Sequence, residues 1–229
     1  FKQKTAYEIP KRDWSSDVCS SDLARCTVHS AGKSLGSLQL PVPGRHNLLN
    51  GLAAVAAARE LGVDFAAVTA ALAEFHGAER RFQRHGEPGG VLVVDDYGHH
   101  PTEIAAVLAA ARATLGRRLI VAFQPHRFSR TQQLMQEFGP SLKDADEIVL
   151  TDVYAASEDP IPWVTIDTLA AAIRRGSGRD VHVERTLDGV VSRVLSLARP
   201  GDAVITLGAG SIGMLPKRLV AEFSKGGRG

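Results

Sequence analysis

Val91-Leu92-Val93-Val94-Asp95-Asp96-Tyr97-Gly98-His99-His100-Pro101-Thr102-Glu103 passes from an apolar run to a polar loop to a helix start. Four apolar residues lead into two acids, an aromatic, a glycine and two histidines. Pro101-Thr102-Glu103 then opens a helical pattern. This is how a buried strand delivers polar side chains to a strand-to-helix loop. Open α/β sheets bind ligands outside the carboxyl ends of their strands, so the acids, Tyr97 and His99 stand where a site belongs. The plainer account is a polar loop with a histidine capping the next helix, which leaves two acids and two histidines as bystanders.

The same grammar continues downstream. Apolar strands read at Val91–Val94, Leu119–Phe123, Ile148–Thr151, Val181–Val183 and Ala203–Leu207. Helical patterns sit at Thr102–Leu115, Thr131–Phe138, Ile166–Arg174, Leu187–Ala198 and Ser211–Phe223. The alternation predicts an α/β fold, with a mostly parallel Rossmann-like sheet and helices on both faces. Right-handed crossovers put successive strand-to-helix loops on one rim.

Two further loops on that rim carry chemistry. Gln124-Pro125-His126-Arg127-Phe128-Ser129-Arg130-Thr131 holds two arginines at an expected helix start, where backbone N–H groups already favour anions. Two guanidinium forks there suit a carboxylate or a phosphate, and a solvated surface pair is the bland reading. Gly208-Ala209-Gly210-Ser211-Ile212-Gly213 fits G-x-G-x-x-G. It lies in the last unit of the chain, with no following strand to supply an acidic ribose partner. The glycines are therefore read as allowing close backbone approach, with a dinucleotide-binding module as the alternative from another class.

Upstream, residues 24–42 alternate weakly and suggest a hairpin turning near Ala31-Gly32-Lys33. Gly44-Arg45-His46-Asn47-Leu48-Leu49-Asn50 opens an alanine-rich helix stopped at Gly62, and Asp64 caps a second helix to Phe75. Asn47 and Asn50 share one helical face, where their amides would read a ligand edge; N-capping by Asn47 is the alternative. Ala78–Gln83 reads as a polar joint, so a domain boundary is placed at 77/78, with 24–77 and 78–229 as the two parts. Residues 1–23 lack periodicity and resemble the conceptual translation of an indexed sequencing adapter. They are expected to be foreign, with more natural sequence upstream. His29, His85 and His182 read as solvent-facing, Trp163 as packing a loop, and Arg174, Arg175 and Arg179 as a solvated helix end.

The 229 residues carry a net charge of +2, with 44% hydrophobic residues. That charge is too small to imply nucleic acid or membrane binding. The two cysteines, Cys19 and Cys26, fit a reducing compartment rather than a disulfide scaffold, so a cytoplasmic location is expected. Oligomeric state is left open.

Taken together and in order, the Gly44–Asn50 stretch, Arg80-Arg81-Phe82, Asp95–Pro101, Gln124–Thr131 and Gly208–Gly213 resemble the Mur ligases over about residues 24–225. The resemblance implies the end of an ATP-binding central domain, followed by the whole C-terminal amino-acid-binding domain. His46, Asn47 and Asn50 match positions around the adenine, Arg81 meets the nucleotide from the joint, and Asp96 holds the ribose. Tyr97, His99, Arg127 and Arg130 match the surface that orients the amino acid, with His99, Arg127 and Arg130 nearest the reaction.

The implied chemistry is ATP-driven amide formation in peptidoglycan precursor synthesis. UDP-N-acetylmuramate is activated as an acyl phosphate, the amine of L-alanine attacks it, and Mg²⁺ lies on the phosphates. Domain closure about Ala78–Gln83 would exclude water. A ligase that adds a whole tripeptide to the same sugar nucleotide is the nearer alternative; Tyr97-Gly98 favours the alanine branch, since the tripeptide enzymes typically carry Phe-Ala there. No G-x-x-x-x-G-K-[ST] phosphate loop occurs in these residues. The chain on its own is therefore expected to be inactive as a ligase, and no metal ligand is assigned within it.

Overall fold

In this computed structural model the structure describes residues 19–20, 23–42, 44–75 and 78–226. The chain divides into two compact units, residues 1–77 and 78–229.

The first unit contains β1 (Cys19–Ser20), β2 (Leu23–Ser30), β3 (Lys33–Leu40), α1 (Arg45–Glu60) and α2 (Phe65–Ala73). The strands pair antiparallel in the order β1-β2-β3. Ala31 and Gly32 close the β2–β3 hairpin with φ of 49° and 76°, the paired positive values of a two-residue turn matched to strand twist. Ala24, Cys26 and Val28 alternate inward and meet Leu38, Leu40, Val42 and Leu48. A Cβ on Gly51 would come 3.0 Å from Leu40 Cδ1, so the absence of a side chain there lets α1 lie close on β3. Asp64 caps α2 by accepting a hydrogen bond from Ala66 N at 2.9 Å, as its position predicts. At the start of α1 the cap is Gly44, with no side-chain cap bond, so N-capping is not the role of Asn47. Most of the segment expected to be foreign lies outside the described residues; its Cys19 and Ser20 form β1 against Ala24 and Leu23.

The second unit runs β4 (Gln83–Gly86), a 3-10 turn (Pro88–Gly90), β5 (Leu92–Asp96), α3 (Pro101–Leu115), β6 (Leu119–Phe123), α4 (Phe128–Gln133) and α5 (Phe138–Ser141). It continues with β7 (Glu147–Leu150), α6 (Ile166–Ser177), β8 (Val181–Val183), α7 (Leu187–Leu197), β9 (Ala203–Leu207), a 3-10 turn (Ser211–Met214) and α8 (Leu215–Gly226). The sheet order is β4-β5-β9-β6-β7-β8. All neighbours are parallel except β4, which pairs antiparallel on the edge.

Side chains alternate across a strand, and the two cores divide accordingly. Leu92, Val94, Leu119, Val121, Phe123, Ile148, Leu150, Ile205 and Leu207 face α3, α5 and α6. Val93, Ile120, Ala122, Val149 and Val204 face α7, α8 and Ile212. Burial on both faces explains why these strands read as unbroken apolar runs. The last strand, β9, inserts between β5 and β6, so the loops after β5, β6 and β9 share one carboxyl rim.

Three local expectations are corrected. The helix expected at Thr131–Phe138 is two short helices: Pro140 lacks an N–H to bond back, and a Cβ on Gly139 would meet Gly176 Cα at 2.6 Å, so α5 is placed by contact with α6. The joint Ala78–Gln83 is not loose throughout, because Gln83 enters β4 and pairs with Asp95. Trp163 is 63% exposed rather than packed.

Candidate functional site

β5 ends in Asp95 and Asp96, each 1% exposed. Asp95 accepts hydrogen bonds from Arg80 Nε at 2.7 Å and from Thr206 Oγ1 at 2.5 Å. Arg80 also donates from Nη2 to Gly208 O at 2.6 Å. A Cβ on Gly213 would strike this guanidinium, coming within 2.7 Å of Arg80 Nε. The glycine-rich loop is therefore shaped around a protein arginine. Its glycines serve close approach within the domain, as read from the sequence, and Ser211–Met214 is a 3-10 turn rather than the first turn of an α-helix.

Asp96 accepts from Phe82 N at 2.8 Å and from Gly98 N at 2.7 Å. Burial pushes its carboxyl above the ordinary value, against the opposing pull of those two amides. In this conformation Asp96 braces the joint against the β5 loop and is closed to solvent. With Tyr97 N donating to Arg80 O at 2.6 Å, the segment from Arg80 onward is fastened to this domain, and any hinge lies before it.

Beyond the acids the loop turns outward. Tyr97 lies under two guanidinium groups, Arg80 at 5.2 Å and Arg81 at 5.7 Å from its ring centre. Arg81 is exposed and faces Glu103 at 4.0 Å. Glu103 closes a capping box on α3: its Oε2 accepts from His99 N at 3.1 Å and His100 N at 3.2 Å, and His100 Nδ1 accepts from Thr102 N. Burial acts to raise the Glu103 carboxyl, but the two amides with the nearby His99 and Arg81 hold it below the ordinary value.

His99 is thus aimed by Glu103 and by its own Nδ1 contact to Tyr97 O at 3.0 Å. Its ring stands 5.5 Å from Tyr97, edge to face, and 5.4 Å from His126. His126 follows β6. Its Nδ1 lies 3.2 Å from Arg130 Nη1, and its ring is 17° from parallel with Tyr154 at 5.6 Å. Tyr97, His99, His126, Tyr154 and Arg130 form one continuous array. Burial lowers the His126 pKa below its ordinary value, and His99, Arg130 and Arg127 lower it further.

Arg127 is exposed, with a left-handed φ of 73°. Its guanidinium lies 3.7 Å from Glu158. Glu158 also accepts from Ser129 N at 3.0 Å and Ser129 Oγ at 2.7 Å. The helix start expected to be open to an anion is therefore taken by a carboxylate of the chain itself. Arg127 and Arg130 share the loop, but Arg130 joins the imidazole array while Arg127 turns to Glu158.

His126, Tyr154, Glu158 and Arg80 were not singled out by the sequence reading. His126 and Arg80 stood in quoted motifs without a role; Tyr154 and Glu158 gave no signal, because the 151–159 loop has no pattern. Asn47, half-buried, and Asn50, exposed, lie on α1 in the first unit; the side chain of His46 is outside the described residues. His182 is not simply solvent-facing: its Nε2 meets Glu147 at 3.0 Å. Among the described residues, no group of three or more His, Cys, Asp or Glu is arranged to hold a metal ion. Among them, too, no helix is long and apolar enough to cross a membrane.

A mostly parallel sheet with helices on both faces, and with acids, imidazoles and guanidinium groups gathered on its carboxyl rim, defines a Rossmann-like α/β domain. The chain belongs to the Mur ligase family: the model for "Mur ligase, glutamate ligase domain" matches residues 80–210. A UDP-N-acetylmuramate–L-alanine ligase of Syntrophobacter fumaroxidans is 49% identical over 216 residues, covering 93% of this chain and 46% of that protein. One from Nitratidesulfovibrio vulgaris is 50% identical over 196 residues, covering 85% and 43%. Among solved structures, the UDP-N-acetylmuramate–alanine ligase of Thermotoga maritima superimposes with a TM-score of 0.77 at 30% identity, covering 91% of this chain and 44% of that one. A murein peptide ligase from Psychrobacter arcticus gives 0.63 at 25% identity, covering 93% and 45%. The chain spans about half the length of the relatives it matches.

Proposed function

We propose that this chain supplies the amino-acid end of an ATP-dependent ligase that joins L-alanine to UDP-N-acetylmuramate in peptidoglycan precursor synthesis, in the cytoplasm. The observation that carries this reading is the array Tyr97–His99–His126–Arg130 on one rim of a Mur ligase domain. It offers donors and cations to a carboxylate, beside aromatic walls that would border a small side chain. The alanine reading is favoured over the tripeptide one by the higher identity to alanine ligases.

In this reading Arg130 holds the amino acid's carboxylate, Arg127 joins it only on leaving Glu158, and Tyr97 and His99 border its amine and side chain. The amine attacks the activated sugar-nucleotide carboxyl and phosphate departs. These side chains contribute position and charge, which is most of what phosphoryl and acyl transfer asks of a protein. Arg81 and Asp96 are assigned to the nucleotide, as are His46, Asn47 and Asn50 of the first unit. For Asp96 this requires release of Phe82 N or Gly98 N. Magnesium, when bound, neutralises phosphate charge; no side chain of the described residues is assigned to it.

Three measurements on the purified chain test the reading. Calorimetric titration with L-alanine should give binding, and immobilised NAD should not retain the protein. Retention on NAD without alanine binding would overturn it. Phosphate release with ATP, UDP-N-acetylmuramate and alanine should be absent; turnover would contradict the expectation that the phosphate cradle lies outside these residues.

A further inference from the structure

Tyr154 lies in the loop between β7 and α6, in no motif. The backbone nonetheless ties it to the β6 loop. Tyr154 N donates to Pro125 O and Arg127 N donates to Tyr154 O, each at 2.8 Å, and His126 and Tyr154 form an isolated parallel bridge. This splint holds the two rings 5.6 Å apart and nearly parallel. Gly210 makes room for it: a Cβ there would lie 2.5 Å from Tyr154 Cγ and 2.7 Å from Gln124 Oε1. The loops after β6, β7 and β9 thus meet around Tyr154.

The second constraint is chemical. An arginine guanidinium donates hydrogen bonds and accepts none. Arg130 Nη1 at 3.2 Å from His126 Nδ1 therefore makes Nδ1 the acceptor, and in a neutral imidazole the proton then sits on Nε2. A ring held in this plane and this tautomer presents an N–H rather than a lone pair at Nε2. It is suited to meet an oxygen anion, not to take a proton from an amine.

We propose that Tyr154 is a positioning residue: its ring fixes the plane of His126, whose Nε2–H donates to the carboxylate of the bound amino acid. This rests on the amino-acid reading of the rim given above. The low affinity of His126 for protons, set first by burial and then by His99, Arg130 and Arg127, is consistent with a neutral donor.

The test is long-range proton–nitrogen NMR on ¹⁵N-histidine-labelled chain, with Tyr154→Phe and Tyr154→Leu variants. The wild type should show His126 protonated at Nε2, and L-alanine should shift that nitrogen. Tyr154→Phe should match it. Tyr154→Leu should lose the tautomer bias and weaken L-alanine binding about threefold to tenfold, the range set by one aromatic pair. A wild-type proton on Nδ1, a Leu variant indistinguishable from wild type, or a Phe variant that behaves like Leu would each overturn the proposal. If the Leu variant does not fold, the wild-type tautomer and the Phe variant decide alone. An Nε2–H tautomer that depends on Tyr154 but stays silent to L-alanine would uphold the stack and reject the amino-acid reading.

Discussion

The rings of His99 and His126, from the loops after β5 and β6, stand 5.4 Å apart with a 48° tilt. Two imidazoles this close, with Arg130 beside one of them, disfavour a second positive charge. His126 should titrate below its ordinary 6.5. The sign follows from linkage: a histidine whose folded pKa is depressed stabilises the fold while neutral, and that stability is lost as pH falls from 6.5 through the folded value. Histidine NMR titration should place the His126 midpoint below 6.5. His99→Asn should raise it only part of the way, because burial is the larger cause. A His126 midpoint at or above 6.5 would contradict this account of the rim.

Asp95→Ala should cost about 3 kcal/mol, since it leaves Arg80 in a half-closed site without its carboxylate. Urea unfolding of the two proteins measures this. Gly213→Ala should destabilise as well, by forcing Arg80 away from Asp95 and Gly208. A neutral Asp95→Ala would mean the pair does not tie the joint to the sheet.

Glu103→Ala should cost about 1 kcal/mol by removing the capping-box acceptor of the His99 and His100 amides. Its folded pKa is depressed, so its contribution is present above 4.5 and is lost as pH falls through the folded value. Thermal melts at neutral pH should separate wild type from variant, and melts well below the ordinary carboxylate range should bring them together.

At the opposite rim, Arg118 bridges Glu147 at 2.8 Å and Asp202 at 3.0 Å, and Glu147 also meets His182. Glu147→Gln should lower stability by about 1 kcal/mol and leave L-alanine affinity unchanged, because no part of this network reaches the carboxyl rim. Calorimetry alongside unfolding tests both halves of the statement.

Strands β5, β6, β7 and β9 were legible because each is buried on both faces and reads as an apolar run. β4 was not: Gln83-Arg84-His85-Gly86 is an edge strand whose register breaks between Arg84 and Gly86, and its polar residues read as a joint. His99 and Arg130 stood out as candidates through local clustering with other polar groups. Tyr154 and Glu158 were not, because their importance lies in backbone contacts to a loop that only the fold brings near. The partner of Arg127 was hidden for the same reason, since nothing local announces that Glu158 will face it. Asp96 was found as a candidate, but its two backbone donors come from the fold, and they close it in the conformation described.

The proposed grip on an amino acid's carboxylate falls to Arg130, on the carboxyl rim of this sheet. Calorimetric titration of L-alanine into the wild-type chain and the Arg130→Ala variant decides whether it holds. The wild type should bind measurably, and binding should weaken at least about tenfold in the variant, the loss of one charge-assisted contact. Equal binding by both proteins, or none by the wild type, would contradict it.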